Sequence, residues 1–174
     1  MTLTHVDTID WADSATDVAR HGGLTDFGRE VVKEMNRVGQ LVDISHVSVD
    51  TMRQAIEESR APVIASHSCA YAIAPHPRNL PDEMIQAVAA DGGVVMVTFV
   101  PPFLVRATAL TAIDMFEEMR TLRSQFAPDD EVGYAAAATE MARESGVDRG
   151  VGGRRRRPHR AHQPTGGRRP CRDR

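Results

Sequence analysis

From Leu24 to Gly93 the apolar positions change their period several times. Over Leu24–Val38, "LTDFGREVVKEMNRV", Phe27, Val31, Val32, Met35 and Val38 fall at helical spacing. Thr25 is placed to cap this helix and Gly39 to stop it. The short apolar run Leu41–Ser45 predicts a strand. A helix follows from about Val49 to Ser59, with Met52, Ala55 and Ile56 on one face. A second strand spans Pro62–Ser66, and a third helix runs from about Pro81 to Ala90. Gly93–Phe99, "GVVMVTF", is apolar almost throughout, the pattern of a parallel strand buried on both faces. Two further helices are predicted near Leu110–Gln125 and Asp129–Glu144. Helices alternating with strands predict an α/β protein with a parallel sheet, a pattern that open and closed sheets share.

Composition adds a boundary. Residues 1–145 carry 11 Lys or Arg and 22 Asp or Glu, whereas residues 146–174 carry 10 Arg and 2 Asp. The last stretch, "GVDRGVGGRRRRPHRAHQPTGGRRPCRDR", has no aromatic residue and few aliphatic ones, so it is expected to stay disordered behind an acidic globular body. No run approaches the roughly 20 apolar residues of a membrane span. The start, "MTLTHVDTID", lacks the pattern of a secretory signal. Cys69 and Cys171 lie far apart in dissimilar surroundings, which argues against a disulfide framework and for a reducing, cytoplasmic setting.

Candidate chemistry gathers at the ends of the predicted strands. "LVDISHVS" ends its apolar run at His46 and "APVIASHS" at His67. The carboxyl ends of parallel strands collect functional groups, and adjacent strands lie about 5 Å apart. Two imidazoles there can converge on one zinc ion. His5 and Asp7 have the His-x-Asp spacing of many metal-dependent hydrolases. His5 reads equally well as a substrate contact with Asp7 in solvent. Arg78, in "HPRN", reads either as a carboxylate clamp or as a solvated surface arginine. His21 beside its Gly-Gly turn reads as structural, and Cys69, two residues after His67, reads as a packed small residue ahead of a ligand. Trp11 with Asp10, Asp13 and Asp17 forms a polar loop without assignable chemistry.

In this order, "TLTHVDTIDWADSATD", "HGGLTDFGREVVKEMNRVGQLVDISHVS", "APVIASHSCAYAIAPHPRNLPDEM" and "GGVVMVTFVPPFL" resemble the membrane (renal) dipeptidase family over about Thr2 to Asp148. The resemblance implies a (β/α)8 barrel with two zinc ions at the carboxyl ends of its strands and hydrolysis of dipeptides by a zinc-activated water. His46 and His67 match the two histidines on one of those ions. His5 matches a histidine that contacts the substrate and the reaction's oxyanion, and Arg78 matches an arginine that helps hold the dipeptide. The family's first-strand His-x-Asp pair and metal-bridging glutamate lie upstream of the match. "RRRRPHRAHQPTGGRRP" stands where a late strand would carry the catalytic aspartate.

The expectation is therefore a partial (β/α)8 barrel over residues 1–148, followed over 149–174 by an Arg-rich tail. That tail reads as an out-of-frame continuation or as a genuine basic extension. A zinc site that is at most partial, little activity for the chain alone, and self-association through unpaired strand edges follow from that expectation. A competing reading gives the tail a role in binding nucleic acid or another polyanion. A third takes the chain as a gene remnant without function.

Overall fold

The structure, a computed structural model, describes residues 1–127 and 129–144. The hydroxyl of Thr25 accepts the Gly28 N–H and starts helix α1 (Asp26–Arg37), satisfying one of the donors left free in a first turn. Gly39 ends it at φ +74°, where a side chain would be strained, as the Gln40 N–H turns back to the Met35 carbonyl. The stripe that packs inward is Gly28, Val32 and Met35. Phe27, expected on that face, is 65% exposed, and its ring meets Trp11 edge-on at 6.4 Å. The buried stripe lies one residue further round the helix, because Gly28 has to pass under Trp11, whose carbonyl oxygen leaves no room for a Cβ.

Helix α2 (Val49–Glu58) is capped by the Ser48 hydroxyl on the Thr51 N–H and buries Met52 and Ala55. Strand β1 (Ile64–Ala65), helix α3 (Asp82–Ala90) and strand β2 (Val94–Val95) follow. The two strands pair in parallel, Ile64 opposite Val94 and Ala65 opposite Val95. Single parallel bridges extend this array on the other side of β1, from Ile64 to Asp43 and from Asp43 to Thr2. Thr2, Asp43, Ile64 and Val94 thus stand side by side. At Gly93, just before β2, the backbone passes so close to the Val63 carbonyl that a Cβ would collide with it. The core lies between this array and α1–α3, with Val32, Ile44, Met52, Val63 and Leu80 fully enclosed.

Two strand expectations need correcting. Leu41–Ser45 is hydrogen-bonded to both neighbours, with Asp43 N–H on the Met1 carbonyl and Ile44 N–H on the Ile64 carbonyl. Its regular run nevertheless ends within a few residues, because His46 adopts φ +73° and turns the chain away. Gly93–Phe99 forms a strand only at Val94–Val95, and it is not buried on both faces. Val97 is 59% and Phe99 88% exposed. Among the described residues no strand pairs with the far edge of β2.

Beyond β2, a short helix α4 (Pro101–Leu104), absent from the expected elements, leads into α5 (Arg106–Arg123). Only Ala109 and Ala112 of α5 are buried. The chain forms two compact units, Met1–Gln125 and a second that starts at Phe126. In the second unit, Tyr134 of helix α6 (Glu131–Glu144) meets Phe126 edge-on. The expected boundary at 148/149 and the Arg-rich tail lie outside the described residues. Among the described residues no helix is long and apolar enough to cross a membrane.

Candidate metal and substrate site

His46 and His67 follow neighbouring parallel segments, and their Nε2 atoms stand 2.8 Å apart. The two Ser-His endings are nevertheless built differently. His46 is buried and is the one non-glycine residue with positive φ among the described residues. Such backbone costs about 1–3 kcal/mol and persists where the surroundings enforce it. Here the enforcing contacts are the Thr4 hydroxyl and the Ala15 N–H, both of which donate to the His46 carbonyl. His67 is half-buried on ordinary backbone, and its N–H donates to the Ser45 hydroxyl.

The outer nitrogens decide which way the lone pairs point. His46 Nδ1 lies 2.6 Å from the His5 carbonyl oxygen, which can only accept, so the hydrogen sits on Nδ1 and the neutral ring offers its Nε2 lone pair. His67 Nδ1 faces the Ser66 hydroxyl at 2.7 Å. Burial first, and then the nearby Arg78 guanidinium, push His46 down to about 4 and lower His67 as well. Both rings are therefore neutral near pH 7, the form in which imidazole binds a metal.

A tetrahedral zinc with bonds of about 2.0–2.1 Å sets two donor nitrogens about 3.3–3.4 Å apart. This pair, at 2.8 Å, stands at hydrogen-bond distance and has to part slightly to serve as two donors to a single ion. Among the described residues no group of three or more His, Cys, Asp or Glu side chains is placed to hold a metal.

The exposed His5 ring stacks on His46, with centroids 4.3 Å apart and planes 26° from parallel. Its carbonyl steadies His46 while its imidazole remains open to solvent. Of the two readings of Arg78, the solvated one does not hold. The side chain is 6% exposed, donates to the His67 carbonyl at 3.3 Å and lies 5.3 Å over the Phe103 ring. Its buried Nε has no hydrogen-bond partner. Burial pushes the guanidinium down to about 10, against the pull of Asp43, so it stays charged at neutral pH. A buried cation with an idle donor suits an anionic group arriving from outside.

Asn79 holds the loop that carries Arg78. Its side chain accepts the Cys69 N–H and donates to the carbonyls of Ala74 and Phe103. His76, 2% exposed, accepts the Arg78 N–H at Nδ1 and packs on Phe103, and burial pushes it down to about 4. Cys69 is buried with its thiol on the Thr98 carbonyl, in keeping with a packed small residue. His21 holds the Ile9 carbonyl, a structural role.

Sequence reasoning missed two carboxylates. Asp13, fully enclosed, accepts the N–H groups of Arg20, His21 and Gly23 and so folds the loop that looked featureless. Asp43 accepts from Thr2, Ser45 and Ser66. The Gly-Gly turn after His21 was the available signal for the first. The second is one polar residue inside an apolar run.

The family model for membrane dipeptidase, peptidase family M19, matches residues 1–137. Dipeptidase 3 of Rattus norvegicus is 42% identical over 130 residues, which make up 70% of this chain and 27% of that protein. Among solved structures, the probable dipeptidase PvdM from Pseudomonas aeruginosa matches with a TM-score of 0.63 at 27% identity, over 82% of this chain and 42% of its own. An amidohydrolase from the same organism matches with a TM-score of 0.55 at 40% identity, over 59% of this chain and 31% of its own. The chain therefore spans well under half the length of these relatives. With more than half of its residues inside the family match, this chain belongs to the membrane dipeptidase family, peptidase family M19.

Proposed function

We propose that this chain supplies the metal-holding and substrate-facing part of a dipeptidase site, arranged as part of a (β/α)8 barrel over residues 1–148, with 149–174 as an appended Arg-rich tail. The observation that carries this reading is the Nε2–Nε2 approach of His46 and His67, with both outer nitrogens occupied by other groups. These two rings would hold a zinc ion. Bound there, the metal would supply Lewis acidity toward the scissile peptide group and its attacking water.

The chain's own residues do the rest. His5, on the open side of the pair, would donate to the oxygen of the peptide carbonyl as negative charge grows on it. Arg78 would hold the carboxylate of a dipeptide, giving its idle Nε a partner and favouring short substrates with a free charged end. The His76–Asn79 loop would keep the guanidinium aimed without a costly rearrangement on binding.

A catalytic zinc usually takes three protein ligands, and the described residues bring two together. The chain alone is thus expected to bind zinc weakly and to turn over dipeptides near background. The test is dipeptide hydrolysis by the purified full chain with added zinc, beside a His46→Ala/His67→Ala control. Turnover near background, with zinc binding that the double variant loses, supports the reading. Robust turnover abolished in the control would show that a complete site assembles, overturning the two-donor account. Zinc binding equal in both proteins would overturn the assignment of the pair.

A further inference from the structure

Asp43 is 5% exposed, and its two carboxylate oxygens are engaged in different ways. Oδ1 accepts the backbone N–H groups of Ser45 and Ser66, each at 3.0 Å. Oδ2 accepts the hydroxyls of Thr2 at 2.9 Å and of Ser66 at 2.5 Å. The same Ser66 oxygen lies 2.7 Å from His67 Nδ1.

A hydroxyl has one hydrogen to give. An ionised carboxylate is the stronger acceptor. Burial would raise the Asp43 carboxyl, but the hydrogen bonds from Ser66, Ser45 and Thr2 outweigh it and hold the group below its ordinary range. With its hydrogen on Asp43, the Ser66 oxygen must accept from His67, which then carries its hydrogen on Nδ1 and aims a bare Nε2 at His46. If Ser66 gave its hydrogen to His67 instead, the ring's own hydrogen would sit on Nε2. It would then be donated to the bare His46 Nε2, 2.8 Å away, closing the gap between the rings with a hydrogen bond at the cost of taking the Ser66 hydrogen from the ionised Asp43 carboxylate.

We propose that Asp43, acting through Ser66, is a positioning residue that fixes His67 in the Nδ1–H tautomer and keeps the Nε2 pair open to a divalent metal ion. The metal half of this statement rests on the proposed dipeptidase site, and the tautomer half does not. His46 is an internal control, because its tautomer is set by the His5 carbonyl.

The geometry makes Asp43→Asn informative. The two backbone N–H groups on Oδ1 require the amide oxygen at that place, so the amide nitrogen takes the place of Oδ2. It donates to the Ser66 oxygen, the serine hydrogen turns to His67 Nδ1, and the ring hydrogen moves to Nε2. A wrong tautomer in an otherwise intact site is enough to disable it.

The test uses the full chain, 15N-labelled and metal-free, at about pH 8, above the ordinary imidazole range. Long-range 1H–15N spectra of the histidine rings give each tautomer, and cobalt(II) titration of the same proteins gives metal affinity. The wild type is expected to show Nδ1–H at both His46 and His67. Asp43→Asn is expected to move His67 alone to Nε2–H and weaken cobalt binding by about tenfold or more. Ser66→Ala should leave His67 a mixture of tautomers, and Ser66→Thr, which keeps the hydroxyl, should restore the wild-type form. The two serine variants carry the test if Asp43→Asn does not fold. His67 held as Nδ1–H in Asp43→Asn and Ser66→Ala, or as Nε2–H in the wild type, overturns the proposal whether or not cobalt binds. A tautomer switch in a protein whose wild type binds no cobalt overturns the metal reading and leaves Asp43 in control of the ring.

Discussion

Inner and outer apolar runs of similar composition meet opposite fates in this molecule. In Val42–Ile44 and Val63–Ala65 the side chains that face the helices are enclosed, with Ile44 and Val63 at 0% exposure. In Val94–Val100 Val95 still packs against the core, but beyond it the run is open, with Val97 at 59% and Phe99 at 88%. The inner runs have a hydrogen-bonded neighbour on each side and α1–α3 over them. The outer run has β1 on one side and, among the described residues, no strand on the other. Burial is thus conferred by neighbours and not by the run itself, and the paired histidines grow from the runs that have neighbours.

The largest effect should separate the two runs directly. Ile44→Ala removes enclosed methylenes and should cost about 2–5 kcal/mol, whereas Val97→Ala on the open run should change stability by no more than about 0.5 kcal/mol. Urea denaturation of both variants measures the difference, and equal losses would break the comparison.

Acid should also weaken the enclosed side. His76 titrates near 4 in the folded protein, because burial and then Arg78 disfavour its charge, and near 6.5 when unfolded. The unfolded chain therefore takes up the proton first as pH falls. The contribution is complete above about 6.5, shrinks as pH drops from there to about 4, and is constant below. Its size is on the order of 1–3 kcal/mol, and His46 and His67 act in the same direction. Urea midpoints measured across this window should fall toward acid, and His76→Gln should flatten the slope. An identical slope in that variant would remove His76 from the account.

A loss of about 1 kcal/mol is expected for Thr25→Ala, which deletes the α1 cap over the enclosed layer. Thermal melts beside the wild type check it. The smallest effect belongs to Phe99→Ser. Its melting temperature should hardly move, while self-association seen by light scattering should fall, because an open apolar edge is a template for pairing. A large drop in melting temperature would mean that Phe99 is packed.

The ends of the first helix were legible in the sequence because Thr25 and Gly39 act through their own side chain or backbone freedom. The histidine pair was legible because strand ends lie side by side in parallel sheets. The exposure of Phe27 and Phe99 was not, since it depends on which surfaces come to cover them. Nor was the inequality of the two Ser-His endings. Ser66 holds its own histidine, while Ser45 serves His67 across the gap, a relation set by the parallel register. The enclosure of Arg78 likewise required the Cys69–Leu80 loop to close on Asn79.

The central claim is that His46 and His67 share one metal ion. Isothermal titration of the full chain with zinc, in the wild type and in His46→Ala and His67→Ala separately, tests it most directly. One weakly held ion per chain is expected, with loss of that binding in either single variant. Binding that survives either substitution with unchanged affinity would contradict it.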